Sequence, residues 1–164
     1  MNISRPNRTS FLSERKTQVC GILANREKFD EVPDNVFRES SRINSTFGGN
    51  FIDMLRFQLV MEVIEKENLI DNARTVGEYL LEKLQELARK HPETISNARG
   101  RGLMCAIDLP THEQRNLLRD ELFKDGMIIL GCGEQSLRFR PHLNVSPAEI
   151  DLAIDKIERN LNKI

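Results

Sequence analysis

Tryptophan is absent from this 164-residue chain and aromatics of any kind are few, so its apolar stripes are almost wholly aliphatic. An excess of basic charge is missing too: 24 Lys and Arg stand against 25 Asp and Glu. Proteins that bind nucleic acid or a membrane surface usually carry such an excess, so the balance argues against both partners. No apolar run approaches the roughly 20 residues of a membrane-spanning helix. The N-terminus, MNISRPNRTSFLSERK, lacks the apolar centre of a secretory signal. Cysteine is scarce and odd in number, and Cys20, Cys105 and Cys132 are far apart. That excludes a disulfide framework or a paired-cysteine zinc site and leads us to expect reduced thiols in a cytoplasmic protein. His91, His112 and His142 have no mutual spacing that suggests ligation, so no metal is expected. No internal repeat or low-complexity tract is visible, and the length suits one ordinary domain with its own core.

What is present alternates in a readable way. Met1–Glu14 is polar and reads as a loose tail. Thr17–Ala24 (TQVCGILA) is β-branched and apolar, as a buried strand would be. Asn25–Arg42 is mixed and charged, with Pro33 as a breaker, and predicts loop with a short turn. SRINSTFGGN then leads into a helix, with Asn50 as N-cap and Asp53 as its capping-box partner. Ile52, Leu55, Leu59, Val60, Val63 and Ile64 predict an apolar stripe on one side of that helix. A second helix, continuous with it or broken near Asn68, carries Ala73, Val76, Leu80, Leu84 and Leu87 and is stopped by Pro92. Gly100–Leu109 predicts a strand entered through two glycines. Thr111–Gln114 opens a helix with Leu117, Leu118, Leu122 and Phe123 inward, ended by Asp125-Gly126. Met127–Leu130 predicts a four-residue strand, Gly131-Cys132-Gly133 a turn, and Leu137–Arg140 an alternating strand. Ser146-Pro147-Ala148-Glu149 starts a last helix lined by Ile150, Ile154, Ile157, Leu161 and Ile164. This order predicts an α/β sandwich: one small, mostly antiparallel sheet with helices packed on it.

Several residues are candidates for chemistry, each with a plainer alternative. Lys16 precedes the most apolar early strand, where desolvation lowers a lysine's pKa and makes its amine nucleophilic; otherwise it is half of a solvated Lys-Arg pair. Ser45 and Thr46, with the Gly48-Gly49 pair and a helix start, suit a phosphate; a simple structural cap has the same composition. Arg138 and Arg140 project from one face of their strand and can grip a carboxylate, or can line a solvent face. Arg99 and Arg101 around Gly100 are either an anion site or an exposed turn. Cys132 between glycines has no acid or base paired with it in sequence and reads as part of a turn. No carboxylate pair stands out as acid and base.

The order of these segments carries more than any one of them. RKTQVCGILA, NSTFGGN, RGRGLMCAIDLP, LGCG and LRFRPHLNVSPAEID resemble, in sequence, the C-terminal half of the class III pyridoxal-phosphate aminotransferases. KTQVCG and GRGLMC…DLP are specific to the lysine ε-aminotransferase subgroup, and the resemblance covers about Arg15 to Ile164. It implies the C-terminal part of a fold-type I transferase with most of the large cofactor domain absent. It implies pyridoxal 5'-phosphate as cofactor, L-lysine and 2-oxoglutarate as substrates and a homodimeric parent enzyme. Lys16 matches the lysine that bonds to the cofactor aldehyde and moves the substrate proton. Thr46 matches the threonine that reaches the phosphate of the other subunit's cofactor, with Ser45 beside it. Arg138 matches the arginine that holds the substrate carboxylate; Arg140 receives no role.

The departures set a competing expectation. The family supplies the acid on the pyridine nitrogen, the ring platform and much of the phosphate loop from upstream of the lysine. Here Ser13-Glu14-Arg15 replaces the usual Gly-Lys before it. The implied organisation is a tail (1–14), a remnant of the cofactor domain (15–49), connecting helices (50–91) and a small C-terminal α/β domain (92–164). Two functions follow: a segment of an L-lysine 6-transaminase, or a non-catalytic remnant that folds as a small interaction domain.

Overall fold

The structure, a computed structural model, describes residues 25–36, 38, 42 and 48–163. The strand expected over Thr17–Ala24 and the tail before it lie outside these residues, as does Ile164. The chain divides into two compact units, residues 1–64 and 65–164.

In the first unit the charged stretch predicted as loop contains a short helix, α1 (Arg26–Asp30). The helix α2 (Phe51–Lys66) starts where its cap signal puts it, with Asn50 Oδ1 accepting from the Ile52 amide at 2.9 Å. Asp53 is engaged by Arg56 at 2.6 Å instead of completing a capping box. The one-sided stripe expected here is not observed. Phe51, Met54, Phe57 and Met61 carry apolar surface around the rest of the helix, and no α2 residue is buried. Phe51, Ile52, Met54, Leu55, Phe57 and Leu59 are between 49% and 77% exposed. An apolar surface that goes all round a helix is characteristic of helices enclosed in a larger body.

The break left open near Asn68 is real: Asn68 takes a left-handed conformation (φ 50) between α2 and α3 (Leu69–Lys90). Asparagine tolerates this region because its side chain is short and polar. Leu69, Val76, Leu80, Leu84 and Leu87 of α3 are buried, as the period of 3.6 requires.

The sheet has one strand more than the sequence predicted. Gly100–Leu109 is a hairpin, not a single strand: β1 (Ser96–Arg101) and β2 (Met104–Asp108) are joined at Gly102 (φ 54). β1 carries no apolar alternation, and pairing with β2 makes it a strand. The helix α4 (His112–Lys124) is capped by Thr111, whose side chain accepts from the Gln114 amide at 3.2 Å. Leu118 and Leu122 point inward as expected, but Leu117 and Phe123 are exposed, and Arg115 is buried on the inner face. The next strand begins three residues later than predicted: β3 is Leu130–Cys132, and the turn follows it at Gly133 (φ 55). β4 (Ser136–Phe139) and α5 (Pro147–Leu161) fall close to expectation. Ser146 and Glu149 form the full reciprocal capping box at the start of α5.

The strands lie in the order β1-β2-β4-β3, each antiparallel to its neighbour. Alternation then decides which side is which. Cys105 and Ile107 pair with Phe139 and Leu137, and all four are buried in the core with α3, α4 and α5. Gly77 lets α3 touch the β1–β2 turn, since a Cβ there would stand 2.2 Å from the Gly102 carbonyl carbon. Asn72 holds the segment before α5, donating to Leu143 O at 2.7 Å and Val145 O at 3.1 Å.

Candidate active site

Lys16, Ser45 and Thr46 lie outside the described residues. Arg138 is described, and its setting follows from register. It stands opposite Ala106 on β2 and Leu130 on β3, and Ala106 stands opposite Arg99 on β1. Directly opposed residues share a face, so this row lies on the side of the sheet away from Ile107 and Leu137. Arg138 is half-buried, and its Nε is buried without a hydrogen-bond partner among the described residues. No carboxylate among the described residues pairs with it. A guanidinium with unspent donors flanked by small and apolar side chains is suited to an incoming carboxylate. Arg140, just beyond β4, is exposed.

The other arginine in the row is already committed. Arg99 donates to Asp108 Oδ1 at 2.8 Å and to Ser136 Oγ at 3.1 Å, and Asn97 donates to Asp108 Oδ2 at 2.6 Å. Ser136 also donates to Asp108. Burial pushes the Asp108 carboxyl up, but the hydrogen bonds from Ser136, Arg99 and Asn97 and the charge of Arg99 outweigh it and hold it below the usual carboxylate range. This network ties three strands together next to Arg138 and uses up the acid that could otherwise neutralise it. Arg99 is thus neither a free anion site nor a merely exposed turn residue.

The Cys105 thiol is not poised for chemistry. Burial pushes the Cys105 thiol up, which keeps it protonated, and Cys132 is half-buried in β3. Among the described residues no group of His, Cys, Asp and Glu is arranged to hold a metal ion, and no helix is long and apolar enough to cross a membrane. Sequence reasoning missed Arg115, which is 5% exposed. Its signal was positional: it falls at i, i+3, i+7 with Leu118 and Leu122, on the stripe assigned to leucines.

A small antiparallel sheet with helices on one side, and on the other an arginine with no carboxylate partner among the described residues, defines an α/β domain. The sequence pattern of the aminotransferase class-III family matches residues 16–161, and the chain belongs to that family. It is 49% identical over 147 residues to an L-lysine-epsilon aminotransferase of Mycobacterium tuberculosis, covering 90% of this chain and 32% of that one. It is 45% identical over 151 residues to the Streptomyces clavuligerus protein of the same name, covering 92% and 33%. The solved structure of lysine aminotransferase from M. tuberculosis superposes with a TM-score of 0.82 at 49% identity, over 90% of this chain and 34% of that one. The chain therefore spans about a third of the length of these relatives.

Proposed function

We propose that this chain forms the part of a lysine ε-aminotransferase that bears the cofactor lysine and the substrate-carboxylate clamp. The reaction moves the ε-amino group of L-lysine to 2-oxoglutarate. The observation that carries the reading is Arg138: half-buried on the face of the sheet away from the core, with no carboxylate paired to it among the described residues. Enzymes of this class work with pyridoxal 5'-phosphate, which supplies an electron sink for the carbon losing its proton. The donor set suits it: an amine for an aldehyde, two hydroxyls for a phosphate and a guanidinium for a substrate carboxylate. Lys16 would attach the cofactor and carry the proton at the reacting carbon, and Ser45 and Thr46 would hold the phosphate. Arg138 would orient both substrates, since amino donor and oxo acceptor each end in a carboxylate.

The test is spectroscopic. Added pyridoxal phosphate is expected to give an absorbance band that survives desalting, and Lys16→Ala is expected to lose it. A stable band in that variant would refute the assignment. A second reading, a non-catalytic interaction domain, is favoured by the exposed apolar surface of α2. On that reading the purified 164-residue chain is expected to form little or no glutamate from lysine and 2-oxoglutarate. Ready glutamate formation would eliminate that second reading.

A further inference from the structure

Arg115, in the first turn of α4, plays no part in the reading above. It is buried, yet no carboxylate among the described residues pairs with it. Taking a cation out of water is costly and is normally offset by an acid. Arg115 instead presses on β3: a Cβ on Gly131 would stand 2.1 Å from Nη1 and 2.8 Å from Cζ. Nη1 donates to the backbone oxygen of Ser136 on β4 at 3.4 Å. Nη2 is 2.8 Å from His112 Nδ1, and that ring nitrogen is 2.9 Å from the Glu134 oxygen in the turn. One guanidinium thus touches β3 and β4 directly, and His112 beside it engages either Arg115 or the turn that joins those strands. The His112 nitrogen serves Arg115 as a bare acceptor and Glu134 when it carries a proton, so it cannot serve both at once.

We infer that Arg115 is a positioning residue: from the helix side of the sheet it fixes the β3–β4 hairpin, and with it the direction of Arg138 on the open side. This rests on the reading of Arg138 as the carboxylate clamp. Arg138 lies two residues beyond Ser136 and opposite Leu130, the neighbour of Gly131. β2 supports it on one flank, but on the other it has only β3, a three-residue edge strand. A leucine at 115 fills the space, but it holds no backbone oxygen. A long side chain with a fork of donors does both.

The test uses the 164-residue chain, ¹⁵N-labelled, with glutarate as a five-carbon dicarboxylate probe. The Arg138 Nε–Hε cross-peak is assigned by its loss in Arg138→Met. In Arg115→Met that cross-peak is expected to shift or broaden without ligand, and the glutarate Kd to rise about 10-fold, short of the ~100-fold that a full ångström of misplacement can cost. His112→Ala changes an exposed residue and keeps the fold, so it decides the matter should Arg115→Met fail to fold. It is expected to move the same cross-peak and raise Kd less than Arg115→Met does. A lowered melting temperature with the Arg138 signal in place and Kd unchanged would make Arg115 a packing residue only and overturn the inference. Failure of the underlying reading has a separate signature: Arg138→Met would bind glutarate as tightly as the unaltered chain.

Discussion

Replacing Gly77 with alanine sets two effects of opposite sign against each other. Alanine is the better helix former, by about 1 kcal/mol in a helix interior. Against this, the added methyl would stand 2.2 Å from the Gly102 carbonyl carbon, 2.4 Å from its oxygen and 2.5 Å from its Cα. All three atoms are backbone, in a turn already held at φ 54, so no side chain can rotate away to make room. Overpacking a well-filled site costs about 1–3 kcal/mol, and a backbone obstacle belongs at the upper end of that range. The net loss is then about 2 kcal/mol. For a unit of about a hundred residues each kcal/mol moves Tm by ~4–8 °C, so Gly77→Ala should melt about 8–16 °C lower. Thermal unfolding followed by circular dichroism measures this directly. A Tm unchanged or raised would mean that helix propensity dominates and that α3 does not rest on the β1–β2 turn as described.

Three further outcomes are expected. Arg138→Met should weaken glutarate binding ~30-fold, equivalent to about 2 kcal/mol for a half-buried charged pair, while leaving Tm nearly unchanged; calorimetric titration reads the first and a melt the second. Asp108→Asn should cost about 2 kcal/mol at neutral pH by leaving Arg99 without its acid. Because the Asp108 carboxyl is held below its usual range, that contribution is full above the unfolded value of about 4 and is lost as pH falls toward the lower folded value. The stability gap between the two proteins should therefore close on acidification, and a gap that widens would contradict the network. Light scattering should show self-association of the chain that Leu55→Glu with Leu59→Glu reduces, because α2 presents apolar side chains to water. A clean monomer of the unaltered chain at high concentration would count against this.

Legibility followed how local the deciding physics was. α3 and α5 were readable because their buried residues recur at 3.6 and their starts and stops are written in Ser146, Pro147, Glu149 and Pro92. β1 was not, since SNARGR has no alternation and only Ala98 as apolar content, and becomes a strand only by pairing with MCAID. β3 was misplaced because apolar content marked Met127–Leu130, whereas pairing with β4 runs from Leu130 to Cys132. The one-sided reading of α2 took its best spacing and passed over Phe51, Met54 and Phe57 on the remaining sides. The placement of Arg138 on the face of β4 away from the core was legible from strand alternation. Arg115 was not, because composition places arginines in water and only tertiary packing put this one under Gly131.

The two border strands have a consequence for how copies of the chain can meet. β3 is three residues long, and β1 is interrupted by a bulge at Asn97 (φ 50) and bears Arg99 and Arg101. Neither offers the long, flat, uncharged margin that fibrillar stacking needs. Clumping through the margins of this sheet should therefore be disfavoured, and any that runs through α2 should be silent to dyes that report cross-β order.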